Sequence, residues 1–497
     1  MTEHAGIQVV MFSAEAVPFV KVGGLADVVG TLPKALEKLG VRVRIVLPEP
    51  RTSGQEARCP CATVPSIEVP MGTETVRAEI TRARLPASGV DVFFIGGGGF
   101  FPRPSLYDDP ATREGYADNL PRFAFFAKAG IELLRRIGEP VDVIHCHDSQ
   151  MALVPALLRT VFQDDPFFVR TSCLFTIHNA AYQGLYAKED LFSAGIESRY
   201  FHPLCPFEYW GKVNLMKAGI ETADLLTTVS PTYAREIRSD PEYGCGLEGI
   251  LKSRAGDLYG ILNGIDYDEW NPETDPLIPA HYSLENLAGK AECKARLLEK
   301  MRLPRPAGRV PLIGIISRLA DQKGFDLIGA AMEEIAAQDM QLVVLGTGQM
   351  KYHELFEKAS AACPQKIAVK LAFDNALAHQ IEAGCDMFLM PSRYEPCGLN
   401  QLYSMRYGTV PIVRSTGGLA DTVLPYNPQS DSGTGFVFKE CSAAQMMTAV
   451  HQALALYQDP QRWQALAMRG MRQRFTWEES ARKYLELYGR LVRNRLQ

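Results

Sequence analysis

The sequence predicts an α/β protein with two doubly wound parallel sheets. Short apolar runs rich in Val, Ile and Leu are repeatedly followed by a glycine or polar turn and a helix-like segment, which is the pattern of βαβ units. The pentapeptide GGLAD occurs twice, at residues 23–27 and 417–421, each time after a strand and at the start of a helix. At 497 residues the chain is also too long for one ordinary core. Two similar domains are therefore expected, each aiming a helix N-terminus at one cleft.

The composition is typical of a soluble globular protein, with 46% hydrophobic and 22% charged residues. The net charge of −5 gives no general attraction to a polyphosphate backbone, so nucleic acid is not expected as a partner. The eleven cysteines contain no C-x-x-C, which predicts neither a disulfide scaffold nor a zinc site; Cys59 and Cys61 are interpreted as free thiols. The N-terminus lacks the basic lead of a signal peptide, and no apolar run approaches the roughly 20 residues of a membrane helix. A cytoplasmic protein is predicted.

In the first half of the chain, apolar strands alternate with helices. Helical spacing predicts helices at residues 26–39, 120–137 and 151–160. Residues 48–90 predict short β-like pieces separated by turns. The predicted strands cover residues 7–12, 41–47, 92–95, 141–144, 174–177 and 225–229.

The irregular passage from Tyr259 to Pro279 predicts a domain boundary near Asn263. Beyond it, helices are predicted at 284–301, near 325, at 398–407, from 443 onward and at 477–496. The strands predicted for this half cover residues 310–316, 342–345, 367–373, 387–390 and 410–413.

The stretch from Leu389 to Val423 carries the strongest functional pattern. A loop with Arg393, Glu395 and Cys397 lies between a strand and a helix, which places it at the carboxyl edge of a parallel sheet, where such sheets bind ligands. A lone Glu at a helix start could simply cap the helix. However, a second glycine turn follows at 417–418, and turns of this kind bring bare backbone N–H groups up to an anion.

Two cations follow another strand of the second half. Arg318 and Lys323 lie five residues apart on the loop after residues 310–316, with Gly324 beside the next helix start. Fixed cations at the carboxyl edge of a strand suit a pyrophosphate, although cations on loops are ordinarily just solvated.

Two strands of the first half end in histidine. The strand at 141–144 runs into His145-Cys146-His147-Asp148, and the strand at 174–177 runs into His178. Consecutive residues of a strand point to opposite faces, and no further cluster supplies ligands, so a metal site is not favoured. A histidine at a strand end is more often a structural residue, which leaves the role of His178 open at this point.

Two long segments resemble signatures of the glycogen and starch synthases. They are KVGGLADVVGTLPKAL at 21–36 and EPCGLNQLYSMRYGTVPIVRSTGGLADTV at 395–423. The resemblance covers nearly the whole chain and implies a GT-B fold, with two doubly wound Rossmann-like domains facing a central cleft. It implies an acceptor-side domain at 1–262, a donor-side domain at 263–475 and a final helix at 476–497 that crosses back to the N-terminal domain. The wider superfamily often has a second Glu eight positions after the first, where this chain has Tyr403, so only Glu395 is carried over.

The resemblance also implies site residues. Glu395 would hydrogen-bond the donor glucose, Asp148 would position the acceptor hydroxyl, and Arg318 and Lys323 would stabilise the departing phosphate. The aspartate is usually followed by Trp-His in the family, whereas this chain has Ser149-Gln150, which puts acceptor affinity in doubt. The implied catalytic residues are Asp148, Glu395, Arg318, Lys323 and His178. The implied donor-binding residues are Lys21, Gly23, Gly24, Asn263, Phe373, Cys397, Gly398, Thr416, Gly417 and Gly418.

The resemblance implies transfer of glucose from ADP-glucose to an α-1,4-glucan with retention of configuration. UDP-glucose is the rival donor, because base choice depends on details around Phe373. No cofactor is expected, and no metal, since fixed cations replace it and no convincing Asp-x-Asp occurs. A glucan-binding paralogue without turnover is the alternative from another class, and Ser149-Gln150 is the feature that favours it. A pyridoxal-dependent phosphorylase would need a Schiff-base lysine motif that is not found. The oligomeric state stays open.

Overall fold

The computed structural model describes residues 6–49, 62–112 and 114–496. The chain forms two compact units. The first contains Met1–Val229, Ala234–Gly264 and Trp477–Gln497, and the second contains Ser230–Tyr233 and Ile265–Thr476. The predicted free thiols Cys59 and Cys61 lie outside the described residues, and every cysteine within them is free.

Most strands of the two units are short, and the third and fourth are the longest. In chain order they are β1 (Gln8–Phe12), β2 (Arg42–Pro48), β3 (Ala62–Met71), β4 (Glu74–Arg84), β5 (Asp91–Gly97), β6 (Val143–His147), β7 (Ser172–Ile177), β8 (Leu185–Tyr186), β9 (Glu208–Tyr209), β10 (Lys212–Asn214), β11 (Leu225–Thr228), β12 (Leu258–Gly260), β13 (Leu312–Ile316), β14 (Gln341–Leu345), β15 (Ile367–Lys370), β16 (Met387–Met390), β17 (Val410–Arg414) and β18 (Phe436–Phe438).

The helices mostly follow these strands. They are α1 (Gly24–Lys38), α2 (Asn119–Ile137), α3 (Asp148–Met151), α4 (Leu153–Leu158), α5 (Lys188–Ser193), α6 (Leu215–Thr222), α7 (Pro231–Glu236), α8 (Pro241–Gly244), α9 (Glu248–Ser253), α10 (Ala288–Lys300), α11 (Phe325–Ala330), α12 (Met332–Ala337), α13 (Met350–Ala362), α14 (Asn375–Gly384), α15 (Asn400–Arg406), α16 (Gly417–Thr422), α17 (Ala443–Tyr457), α18 (Pro460–Met471) and α19 (Trp477–Leu496).

The main sheet of the first unit has the strand order β12-β11-β7-β6-β1-β2-β5-β4-β3. Its strands from β12 to β5 are mutually parallel, and β4 and β3 add antiparallel strands at one end. The chain builds outward from β1 in one direction and from β6 in the other. The topological switch therefore lies between β1 and β6, and the residues just after these two strands are placed where open α/β sheets bind ligands.

The sheet of the second unit is parallel throughout, in the order β15-β14-β13-β16-β17-β18. Its switch lies between β13 and β16. Alternate residues of each strand enter different cores, as Ile313 and Leu312 of β13 illustrate. Helices α11, α17 and α18 cover the face of Ile313, and α10, α14 and α15 cover the face of Leu312. Both faces are thus buried, as parallel sheets require.

Helix α19 belongs to the core of the first unit. Its residues Trp477, Tyr484, Tyr488 and Leu491 are at most 4% exposed and pack with side chains of α1, β1 and β2. Ser480 Oγ donates to Leu262 O at 2.6 Å, which fixes the start of the helix. The last helix of the chain thereby covers one face of the first sheet.

Two elements differ from the sequence-based expectation. Residues 48–90 were expected to hold short β-like pieces, but β3 and β4 form one antiparallel hairpin of 10- and 11-residue strands. Their polar outward residues and a register shift between Val64 and Ile67 obscured the alternation. Strand β6 also extends through His147, three residues beyond the predicted end, because its pairing with β1 continues to Cys146 and its pairing with β7 continues to His147.

Candidate active site

The switch edge of the second unit carries a lysine and glutamate ion pair. Lys323 ends the 3-10 turn Asp321–Lys323 after β13, and Glu395 lies in the loop after β16. Lys323 Nζ donates to Glu395 Oε1 at 2.9 Å and to Oε2 at 2.7 Å. Ser392 Oγ also donates to Oε2, at 2.8 Å. Because Glu395 is only 6% exposed, these hydrogen bonds fix its carboxylate at the sheet edge.

Close backbone approaches lock the loops that hold this pair. Gly324, next to Lys323, has φ +72°, and a Cβ there would lie 2.0 Å from Pro391 O. Gly417 has φ +44°, and a Cβ there would lie 1.9 Å from Glu395 O. Both obstacles are backbone atoms, so no rotation of a side chain would relieve them. Glycine is required at both positions for the loops after β13, β16 and β17 to pack together.

Two glycine N–H groups, one at each GGLAD turn, are already hydrogen-bonded within the protein. Gly418 N–H donates to Glu395 O at 3.0 Å. In the first unit, Glu15 Oε2 accepts from Val22 N–H at 2.5 Å and from Gly23 N–H at 2.8 Å. The prediction of a bare amide at Gly418 is therefore wrong, because the carbonyl of Glu395 accepts from it, and the amide of Gly23 is likewise occupied by the buried Glu15 carboxylate.

The remaining donor-side residues of the second unit lie around the same sheet edge. Arg318 is exposed on the loop after β13, and Phe373 is 83% exposed on the loop after β15. Cys397 is buried beside Glu395, and Gly398 has φ +68°. Thr416 is the buried N-cap residue of α16. The structure thus gathers these residues at the carboxyl ends of β13, β15, β16 and β17.

The predicted donor-binding residues that lie in the first unit of the structure occupy two places. Lys21 Nζ forms a 2.8 Å ion pair with Asp27 Oδ1, so the GGLAD aspartate partly neutralises this cation. Gly24 begins α1. Asn263 follows β12 and is 5% exposed, and its Oδ1 is buried without a partner among the described residues. That oxygen keeps an unused capacity to accept a hydrogen bond.

The switch edge of the first unit presents Asp148. This residue follows β6 with φ +59°, a left-handed conformation that few non-glycine residues adopt. Its Oδ1 accepts from His178 N–H at 2.7 Å. Burial raises the pKa of Asp148 to about 7; the backbone N–H groups of His178 and Asn179 oppose the rise, and the charge of Glu15 adds to it. The carboxyl group is therefore close to half ionised at neutral pH.

Three histidines lie side by side at this edge. His145 and His147, two residues apart in β6, point to one face, with ring centroids 4.1 Å apart. His147 Nδ1 lies 3.0 Å from His178 Nε2. Burial lowers the pKa of His145 and of His178 to about 3 and holds the pKa of His147 well below its usual range. All three imidazoles are consequently neutral at physiological pH.

Ser149, which stands where the family usually has tryptophan, is 1% exposed. It lies in α3 directly after Asp148. The serine itself therefore offers no open surface on which a sugar ring could stack, and a larger side chain would have to displace its neighbours.

The described part of the chain offers neither a cluster of metal ligands nor a membrane-spanning helix. Within 6–49, 62–112 and 114–496, no three His, Cys, Asp or Glu side chains are grouped so that they could hold a metal ion. Over the same ranges, none of the helices combines the length and the apolar character needed to cross a membrane.

Comparison with known proteins follows the same division of the chain. Residues 8–253 match the family model "Starch synthase catalytic domain", and residues 300–468 match "Glycosyl transferases group 1". A glycogen synthase of Koribacter versatilis is 47% identical over 476 residues, covering 96% of each chain. "Glycogen synthase 2" of Geobacter sulfurreducens is 45% identical over 97% of this chain and 98% of its own. The chain belongs to the glycogen and starch synthase family.

Solved structures agree with this membership. The catalytic domain of starch synthase IV from Arabidopsis thaliana, bound to ADP and acarbose, aligns with a TM-score of 0.90 and 34% identity over 98% of this chain and 100% of its own. Sucrose-phosphate synthase from Thermosynechococcus elongatus, at 17% identity and a TM-score of 0.59, shares the fold. This glycogen synthase family member therefore has the GT-B fold that its sequence predicted.

Sequence reasoning missed three residues of this synthase's first unit. Glu15 and Tyr107 drew no attention because their mutual contact spans 92 residues, with Tyr107 OH donating to Glu15 Oε1 at 2.7 Å. His147 was considered only as a metal ligand. The signal was the i, i+2 spacing of His145 and His147, which puts both rings on one face of a strand.

Proposed function

We propose that this chain transfers glucose from ADP-glucose to the non-reducing end of an α-1,4-glucan with retention of configuration. The observation that carries the proposal is the ion pair of the part-buried Lys323 with the buried Glu395 at the switch edge of a parallel sheet. Nothing in the folding of a loop requires a carboxylate there to be fixed by three hydrogen bonds. A fixed carboxylate beside a cation suits a sugar phosphate, which offers hydroxyl donors and an anion together.

The reaction exchanges one bond to the anomeric carbon for another. The bond from glucose C1 to the diphosphate oxygen breaks, and a bond from C1 to the acceptor hydroxyl oxygen forms on the same face. The acceptor proton passes to the departing phosphate oxygen, so ADP leaves and atoms and charge balance. Charge therefore builds on the leaving diphosphate, which is where preorganised positive groups lower the barrier most.

Residues of the second unit would serve the donor. Arg318 and Lys323, both in the turn after β13, would bind the diphosphate, and Lys323 would keep Glu395 in place for the glucose hydroxyls. Phe373, 83% exposed, has the free ring face that stacking on a nucleotide base needs. Cys397, Gly398, Thr416, Gly417 and Gly418 would shape the surrounding loops. Since the Gly418 N–H is already bonded to Glu395 O, the diphosphate charge would rest mainly on the two cations.

Residues of the first unit would serve the acceptor and the sugar. Asp148, with a pKa of about 7, would accept a hydrogen bond from the acceptor hydroxyl and hold it for attack. His178, whose backbone fixes Asp148, would donate to the donor glucose. Lys21 and Asn263 would add polar contacts at the same carboxyl edge, through the cation and through the buried Asn263 Oδ1.

The donor base is tested with a panel of ADP-, UDP- and GDP-glucose, each supplied with and without glycogen. We expect nucleoside diphosphate release from ADP-glucose only when glycogen is present. Preference for UDP-glucose would overturn the donor assignment alone. Absence of release with every donor would overturn the transferase and leave a glucan-binding protein. Chelator in the assay tests the expected independence from metal, since full activity is expected in excess EDTA.

A further inference from the structure

The contact between His147 and His178 leaves one ring nitrogen unexplained. His147 is 0% exposed, and its Nδ1 lies 3.0 Å from His178 Nε2. Its other nitrogen, Nε2, is buried and has no hydrogen-bond partner among the described residues. His178 is only part-buried. No hydrogen bond from the described part of the protein reaches its Nδ1.

Only two proton arrangements fit this geometry, because each neutral imidazole carries one N–H and one lone pair. In the first, His147 Nδ1–H donates to His178 Nε2, and His178 carries its own proton on Nδ1. In the second, His178 Nε2–H donates to His147 Nδ1, and His178 Nδ1 is a bare lone pair. The two arrangements give His178 opposite hydrogen-bonding characters at its open nitrogen.

The buried Nε2 of His147 separates the two arrangements. The second arrangement places an N–H on this nitrogen, and a buried N–H donor without a partner is rare in folded proteins and costs about 1–3 kcal/mol. The first arrangement leaves a lone pair there, and unsatisfied acceptors are tolerated more often. The neighbouring ring of His145 supplies no hydrogen-bond partner to His147 Nε2. Both ring nitrogens of His145 are already engaged, with Tyr488 OH at 2.8 Å and with Thr176 Oγ1 at 2.6 Å.

We propose that His147 is a positioning residue that fixes His178 as the Nδ1–H tautomer, so that His178 presents a hydrogen-bond donor to a substrate hydroxyl. His147 itself touches no reacting group. It acts by donating from Nδ1 to His178 Nε2. The consequence for substrate rests on the proposed transferase function, whereas the tautomer itself is a property of the free protein.

The packing around His147 holds its ring in the orientation that fixes the tautomer of His178. His147 is the last residue of β6, where it pairs with Thr176 of β7, and its ring packs 4.1 Å from that of His145. His145 is in turn held by Tyr488 of α19 and by Thr176 of β7. The packing therefore holds the His147 ring with Nδ1 toward His178 and Nε2 in the interior, and the cost of a buried, unpartnered N–H at Nε2 sets the direction of the bond.

The direct test is nitrogen NMR of the full chain labelled with ¹⁵N-histidine and free of substrate. Because the chain has nine histidines, the spectrum contains few signals. The signals that disappear in His178→Gln are those of His178. We expect a protonated, pyrrole-type Nδ1 and a pyridine-type Nε2 for His178. A protonated Nε2 on His178 overturns the proposal, whether or not the chain transfers glucose.

A matched pair of variants supplies the kinetic test. The side-chain amide of His147→Asn lies where Nδ1 lies and is able to donate to His178, whereas the amide of His147→Gln extends toward the position of Nε2. We expect kcat/KM for the nucleotide-sugar donor to fall about tenfold or more in His147→Gln, the effect of one lost hydrogen bond, and to recover in His147→Asn. Equal activities in the two variants overturn the positioning role. If either variant fails to fold, the spectrum of the unsubstituted protein decides.

Discussion

At the scale of single residues, Lys323 is the side chain on which the proposed donor site at the switch edge of the second unit depends most. Its Nζ contacts both carboxylate oxygens of Glu395, a residue that is only 6% exposed. Lys323→Ala should lower kcat by roughly 10²-fold or more, the range for loss of one preorganised charge-stabilising group. Steady-state kinetics with saturating donor and glycogen measure the effect.

Lys351 offers a matched control for that substitution. It also pairs with a carboxylate of the second unit, Asp321, but both side chains are more than half exposed. Lys351→Ala should leave kcat within about twofold of normal, because exposed ion pairs contribute little. A near-normal kcat in Lys323→Ala would refute the role given to Lys323.

Asp148 should impose a pH dependence on the reaction. Its pKa of about 7 means that the carboxylate is lost as the pH falls below neutrality, while His178, with a pKa of about 3, remains neutral. The kcat/KM of the free enzyme should therefore fall about tenfold per pH unit below about pH 7. A profile that stays flat from pH 5 to pH 8 would contradict an essential Asp148 carboxylate.

The same carboxyl group should affect stability with a defined sign. A folded pKa of about 7 exceeds the ordinary 3.8, so the native state holds the proton more tightly than the unfolded chain does. The protonated Asp148 carboxyl group therefore contributes to the free energy of unfolding at low pH. This contribution is lost as the pH rises from about 4 through 7. Asp148→Asn should then stabilise the protein at pH 8.5 by about 1–3 kcal/mol and leave it nearly unchanged below about pH 3.5, as measured by urea unfolding.

At the scale of elements, the glycine turns set the geometry of the loops at the switch edge of the second unit. A Cβ at Gly324 would lie 2.0 Å from Pro391 O at φ +72°, so Gly324→Ala should push apart the loops after β13 and β16. We expect a loss of stability of about 2 kcal/mol or more and a fall in kcat, because Lys323 is the adjacent residue. Gly308, which has no atom within 4 Å of a Cβ, serves as the control, and Gly308→Ala should be silent in both urea unfolding and kinetics.

The elements themselves were largely predictable, and their polar contacts were not. Strand, turn and helix around Glu395 followed from apolar periodicity, since Met387–Met390 and Val410–Arg414 are short buried strands flanking the helix Asn400–Arg406. The acceptors of the Gly23 and Gly418 amides were not predictable, because Glu15 and Glu395 O reach them through folding of the loops. Sequence spacing locates the edge of a sheet but not which donors at that edge are already bonded.

At the scale of the whole molecule, the chain order and the packing units do not coincide. Helix α19 is last in sequence, yet Trp477, Tyr484 and Leu491 lie in the core built by β1, β2 and α1. Tyr488 of the same helix also hydrogen-bonds His145, two residues before His147 in β6. Helix α19 therefore supports the strand that precedes Asp148, and its loss should disturb the first unit before the second.

This coupling can be tested by weakening each core separately. Leu491 is 2% exposed in the core of the first unit, and Leu466 is 0% exposed in the core of the second. Each Leu→Ala substitution should cost about 2–5 kcal/mol through lost burial and the cavity left behind. Hydrogen exchange followed by mass spectrometry should show faster exchange in β1, β6 and β7 for Leu491→Ala, and in β13, β14 and β17 for Leu466→Ala. Arg493→Ala, at an exposed position of α19, should change neither set. If Leu491→Ala accelerates exchange in the second unit instead, the helix does not belong to the cooperative core assigned to it.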